Sequence, residues 1–129
     1  MKRIKSISEK RLIVEGKVNG KESFFLLDTG ASVGLMDYKQ KKDFGLKEGR
    51  SYGGTLVGAG GKMNKVKVCE TFAYVEERII PQFLLADIGN VVESIEQETG
   101  VKILGIIGLQ QMKIANISLD MNDNDIILE

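Results

Sequence analysis

Near the N-terminus the chain carries a strand, a two-residue turn and a second strand, and this unit restricts the fold more than any other stretch. Arg11-Leu12-Ile13-Val14-Glu15-Gly16-Lys17-Val18 alternates apolar and polar side chains over much of its length, the pattern of a half-buried strand. Asn19-Gly20 supplies the positive-φ pair favoured by a two-residue hairpin turn. The return strand, Ser23-Phe24-Phe25-Leu26-Leu27, is almost continuously apolar and therefore needs cover on both of its faces. It delivers the chain to Asp28, a carboxylate at the end of a buried strand.

The rest of the chain continues in the same mode. Val33-Gly34-Leu35-Met36 reads as a short strand, followed by a short helix over residues 37–44 with Asp37 as N-cap and Gly45 as its stop. Residues 49–61 hold six glycines around Leu56 and Val57, the composition of a mobile glycine-rich hairpin, and lead into Val66-Lys67-Val68-Cys69. Further apolar runs lie at 72–75 and 79–86, the second carrying the single proline, Pro81, which favours a strand start or an edge. A polar segment at 90–100, looped or helical, precedes a buried strand over 101–107 and a short helix starting at 108–112. Residues 114–121 and 125–128, joined by Asn122-Asp123-Asn124, read as a terminal hairpin. Many short strands with few helical patterns predict a mostly β, closed or sandwich-like domain with one or two short helices.

Composition removes most hydrolytic mechanisms. The chain has 129 residues, enough for one core, so a single domain over residues 1–129 is expected. It contains no histidine and one cysteine, which excludes Ser-His and Cys-His catalysis, a histidine-rich zinc site and an internal disulfide. Neither a metal nor a cofactor is expected. Eighteen basic and eighteen acidic residues leave no net field to attract nucleic acid or an anionic membrane. No apolar run approaches the roughly 20 residues that span a bilayer, and Met1-Lys2-Arg3-Ile4-Lys5-Ser6 has no apolar segment behind its charges. Cytoplasm is the default compartment, with export if a signal segment preceded this sequence. Cys69 reads as buried filler, and Lys39-Gln40-Lys41-Lys42 as a solvated helix face.

Carboxylate chemistry survives these exclusions. Asp28-Thr29-Gly30-Ala31-Ser32 places an acid, a hydroxyl and a glycine at a tight turn directly after the buried strand. Taken alone, these are also ordinary turn residues. Their company is more specific: Leu27-Asp28-Thr29-Gly30-Ala31-Ser32 is similar to the active-site motif of the retropepsin family of aspartic peptidases. Gly53-Gly54-Thr55-Leu56-Val57-Gly58-Ala59-Gly60-Gly61 resembles the flap of that family. Ile103-Leu104-Gly105 resembles the element that supports its active-site loop, and the three segments follow in the family's order over nearly the whole chain. Where many bacterial relatives carry an acidic residue after this element, the chain has Leu109-Gln110-Gln111, a departure that bears on helix capping and local support.

The resemblance implies a retropepsin-like acid-protease fold, a closed β-barrel, that hydrolyses peptide bonds with Asp28 as the catalytic acid. It implies that Thr29 locks two copies of the loop together, that Gly30 admits the substrate backbone, and that Ala31 and Ser32 support the site, Ser32 either orienting Asp28 or merely stabilising the turn. It implies that Val57, Gly58, Ala59, Gly60 and Gly61 cover the substrate. The chemistry needs two carboxylates, one to take a proton from water and one to polarise the scissile carbonyl. No second Asp-Thr-Gly or Asp-Ser-Gly occurs, so the partner is expected from a second copy in a homodimer, each chain giving half a site. Residues 2–7 and 125–128 are candidate pairing edges between subunits. The substrate would be an extended peptide or protein segment with apolar residues around the cut. The rival readings are a catalytically inactive peptide-binding or dimerisation module on the same fold, and an unrelated small β-barrel.

Overall fold

The computed structural model describes residues 1–54, 56–58, 61–63 and 65–129, with side chains described outside 56–58 and 61–63. In chain order the strands are β1 (Lys2–Lys5), β2 (Ile13–Val18), β3 (Lys21–Asp28) and β4 (Gly34–Asp37). A 3-10 turn (Tyr38–Gln40) and helix α1 (Lys41–Phe44) follow, then β5 (Glu48–Ser51), β6 (Leu56–Gly58), β7 (Gly61–Met63) and β8 (Lys67–Cys69). The chain continues through β9 (Ala73–Val75), β10 (Arg78–Ile80), β11 (Phe83–Ala86) and helix α2 (Gly89–Thr99). It closes with β12 (Gly105–Gly108), helix α3 (Leu109–Ile114), β13 (Ile117–Asp120) and β14 (Asp125–Leu128). The architecture is mostly β, as the alternation patterns predict.

The β2–β3 hairpin forms where the sequence places it. Asn19 and Gly20 have φ of 52° and 77°, the left-handed geometry of the turn, and the antiparallel register runs from Val18↔Lys21 to Ile13↔Leu26. In the largest sheet among the described residues the order is β10-β9-β2-β3-β12-β4-β11-β8-β5. The late strand β12 is inserted between two early ones, parallel to β3 and antiparallel to β4. This insertion is possible because Gly105 presses against the Leu35 backbone, where any side chain would collide.

Side chains leave this sheet on two faces, each covered. One face carries Phe25, Leu27, Met36, Phe83, Leu85 and Ile107, packed with Met112 of α3 and with Ile117, Ile126 and Leu128 of the small β1-β14-β13 sheet. The Phe25 and Phe83 rings lie 5.6 Å apart. The other face carries Ile13, Leu26, Leu35, Leu84, Ala86 and Ile106, covered by Val92 and Ile95 of α2. Burying each such aliphatic side chain is worth about 1.5–3 kcal/mol. Period-2 alternation along β3 thus feeds two layers, which is why its sequence shows a continuous apolar run.

Several elements differ from the sequence reading. The polar segment, for which sequence left loop and helix open, is helical from Gly89 to Thr99 and ends at Gly100 with φ 77°. The apolar run 79–86 is two strands, because Pro81 and the left-handed Gln82 (φ 66°) break it. The strand expected over 101–107 is confined to Gly105–Gly108. Residues 49–51, read as the start of the glycine-rich hairpin, instead belong to β5 at the sheet edge against β8. The terminal strand β14 is no open edge: β13 and β1 of its own chain flank it on both sides. Arg3 and Lys5 reinforce that pairing through Asp125 at 2.7 and 3.0 Å, and Arg3 also reaches Asp120 at 3.2 Å.

Candidate active site

Asp28 is the last residue of β3, half-buried, with Thr29, Gly30 and Ser32 exposed around it and Ala31 half-buried. The loop turns back at once into β4, and β12 fills the gap between the two strands. Gly108 therefore stands beside Asp28 in register. The loop is pinned by backbone bonds: the Ala31 amide donates to Asp28 O at 3.1 Å, and the Leu109 amide donates to Ala31 O at 2.8 Å. The Gly30 amide donates to Asp28 Oδ1 at 2.9 Å, which orients the carboxylate. Ser32 lies at the surface, and the bond that reaches the Asp28 carboxylate comes from Gly30 rather than from its hydroxyl.

Two residues outside the motif complete the support. Gln111 of α3 is buried, its Oε1 accepting from the Gly108 amide at 2.9 Å and its Nε2 donating to Pro81 O at 2.7 Å. It thereby ties the strand beside Asp28 to the β10–β11 turn. Gln111 belongs to the Leu109-Gln110-Gln111 stretch that departs from the family pattern, and an amide suits its place because it must both donate and accept. The second is Arg11. Ile13 pairs with Leu26, and the Leu27 amide donates to Leu12 O at 2.9 Å, so Arg11 sits just ahead of the segment that runs beside the end of β3. Its guanidinium bonds to Glu98 at 2.6 and 3.3 Å. Hydrogen bonding and charge from Glu98 raise the Arg11 pKa, and the Asp28 charge adds a smaller push in the same direction. Glu98 is correspondingly held below the usual carboxylate range, chiefly by its hydrogen bond to Arg11.

From sequence, Gln111 stands out only as part of the Leu109-Gln110-Gln111 departure that bears on local support, and Arg11 not at all. Arg11 reads as a charged strand end, and only its place in the fold links it to the motif. Of the glycine-rich segment, Val57, Gly58 and Gly61 lie on β6 and β7, which pair as an antiparallel hairpin with Val57↔Lys62 and Gly58↔Gly61. Ala59 and Gly60 lie outside the described residues. A cavity of about 770 Å³ opens between the 3-10 turn and the base of this hairpin, lined among the described residues by Tyr38, Ser51, Lys65, Lys67 and Asp87.

Among the described residues there is no group of three or more acidic or cysteine side chains placed to hold a metal, and no helix is long and apolar enough to cross a membrane. Cys69 is buried beside Met36, and burial pushes its thiol pKa up, the behaviour of a packing residue rather than a nucleophile. Asp37 caps the 3-10 turn through the Lys39 amide at 3.2 Å and accepts from buried Gln40 at 3.0 Å.

Residues 14–111 match a family model described as aspartyl protease. Among solved structures, the fold is similar to EIAV protease complexed with the inhibitor HBY-793, at 22% identity and TM-score 0.64, covering 91% of this chain and 99% of that one. It is also similar to a retropepsin-like aspartic protease from Rickettsia conorii, at 17% identity and TM-score 0.59, covering 98% and 88%. The retroviral protease-like domain of Ddi1 from Leishmania major matches at 18% identity and TM-score 0.58, covering 92% and 88%. At these identities the likeness establishes the retropepsin-like fold. No curated protein matches the sequence.

Proposed function

The chain belongs to the aspartyl protease family, and from that premise we propose that it is an aspartic endopeptidase, active as a homodimer with one Asp28 from each subunit. The observation that carries this reading is the setting of Asp28: a solvent-reached carboxylate at the end of a buried strand, fixed by the Gly30 amide and by a loop clamped between β3, β12 and β4. Such rigidity is what a positioned acid-base group needs.

In the dimer the two-fold axis passes beside Asp28 and brings the two carboxylates within hydrogen-bonding distance. Carboxylates that close do not both ionise readily, so the pair shares one proton. The ionised member takes a proton from a water molecule, whose oxygen attacks the scissile carbonyl carbon. The protonated member gives its proton to the carbonyl oxygen, forming a tetrahedral diol. Collapse of the diol passes a proton to the amide nitrogen, breaks the C–N bond and leaves the dyad with one proton again. Thr29 faces its mate across the axis, Gly30 lets the peptide backbone approach, and Ala31 and Ser32 complete the loop. The glycine-rich segment, with Val57, Gly58, Ala59, Gly60 and Gly61, covers the substrate and excludes water. The substrate is an extended peptide with apolar side chains around the cut.

The test is cleavage of an unstructured protein at mildly acidic pH by the wild type and by Asp28→Asn. General acid-base catalysis is worth about 100-fold or more, so the variant should lose at least that factor. Equal rates for the two proteins would sink the reading, and binding of peptide without cleavage by the wild type would favour a binding module.

A further inference from the structure

Strand side chains alternate between faces, so Asp28 belongs to the face of β3 that carries Phe24 and Leu26. Arg11, just ahead of β2, reaches Glu98 of α2, the helix packed on this face, and lies within the field of the Asp28 charge. Helix α2 lies across this face and not behind it. Its Val92 and Ile95 share one apolar cluster with Ile13, Leu26, Leu35 and Ile106, and Ala31 and Val33 of the Asp28 loop pack against that cluster.

The helix is finished from outside. It has no side-chain N-cap, no acidic residue in its first turn and no basic residue in its last. Cations from the segment before β2 serve its C-terminal end instead: Arg11 grips the Glu98 carboxylate, and Lys10 Nζ donates to Glu98 O at 3.2 Å. Asp87 Oδ1 accepts the Gly89 amide at the other end, 3.0 Å away. Val92 and Ile95 are the buried anchors along its eleven residues. The helix is thus a thin cover, clasped to the segment that runs beside Asp28.

We propose that α2 is the side wall of the peptide cleft, and that Arg11 and Glu98 are positioning residues that set how near the wall stands to Asp28. This rests on the proteolytic reading above. Leu26, Leu35 and Ile106 form the apolar surface next to Asp28 that a substrate side chain would seek, yet each is only 8% exposed because the cluster already includes α2. With the clasp shut, the cleft takes peptides with small apolar residues, alanine or valine, next to the scissile bond. Larger residues require the wall to move outward.

The experiment uses Glu98→Gln, which removes the charge at a partly exposed side chain and keeps its shape. Peptides differing only in the residue next to the scissile bond (Ala, Val, Leu or Phe) are cleaved by both proteins, and hydrogen exchange of the α2 amides is measured in parallel. Loss of the clasp should speed α2 exchange about tenfold while β3 and β12 stay protected. It should also raise the ratio of kcat/KM for Phe over Ala about fivefold. Val92→Ala, which thins the wall without touching Arg11, should raise the same ratio. A change by one common factor on every peptide would overturn the proposal, since an Arg11 released toward Asp28 affects all substrates alike. Unchanged α2 exchange in Glu98→Gln would overturn it as well. If the wild type cleaves no peptide and matches Asp28→Asn, the proteolytic reading itself fails and the wall falls with it.

Discussion

Gly108 stands beside Asp28 in the parallel register of β12 on β3, with no space for a side chain. A Cβ there would come within 2.7 Å of Ala31 O and 2.9 Å of Val33 O. Its φ of −92° is open to any residue, so crowding and not conformation reserves the position for glycine. Both contacts are backbone of the Asp28 loop, which cannot yield without moving the carboxylate.

Gly108→Ala should therefore displace the loop and cost about 1–3 kcal/mol, the usual range for overpacking. Urea denaturation reads the stability and peptide cleavage reads the loop. A variant equal to the wild type in both would show that this contact does not set the loop.

Gln111 makes a sharper case, since both ends of its amide are used. Gln111→Leu strands the buried Gly108 amide, worth about 1–3 kcal/mol, and also removes the partly buried bond to the Pro81 carbonyl. Gln111→Glu retains an acceptor for Gly108, but its carboxylate has no proton for Pro81 O. That variant should be less stable at pH 7 than at pH 5 relative to wild type, and urea midpoints at the two pH values test it.

Mixing separates a shared site from a self-sufficient one. If each active dimer needs two copies of Asp28, an equal mixture of wild type and Asp28→Asn that exchanges subunits leaves about a quarter of the dimers intact. Activity should fall toward that fraction over the time of exchange. Activity staying at half, set by the amount of wild-type chain alone, would place the whole site in one subunit.

Acid should loosen the terminal sheet first. Asp125 is held below the ordinary value of 3.8, mainly by its hydrogen bond to Lys5 and then by that to Arg3. Asp120 is lowered chiefly by the Asp123 amide, with Arg3 next. Carboxylates depressed in the fold stabilise it above their unfolded values, and that contribution fades as pH falls through the depressed ones. The stability gap between wild type and Arg3→Gln should be open near pH 5 and shrink steadily at lower pH, read by denaturation at each pH. A gap that does not depend on pH would mean Arg3 acts through packing alone.

How far the sequence carries can be judged element by element. The β2–β3 hairpin, the Gly45 position and the mostly β fold follow from local rules: Gly45, with φ 63°, closes α1 as a glycine after a short helix should. Asp28 was legible because a polar residue directly after a buried apolar strand stands out. The helical state of α2 was left open, since its buried positions, Val92 and Ile95, are too few to impose a period on a polar segment. The apolar run at 79–86 hid its break at Gln82, because hydrophobicity says nothing about the sign of φ.

By itself the sequence determined the local geometry around Asp28, its strand, its turn and its chemical type, because those depend on residues adjacent in the chain. The tertiary structure alone decided that Gly108 lies beside it, that Arg11 comes near it, that Gln111 braces it and that α2 covers its face. Those relationships arise from strand register and from the insertion of β12 between β3 and β4, and register is the summed outcome of pairings between segments far apart in the chain.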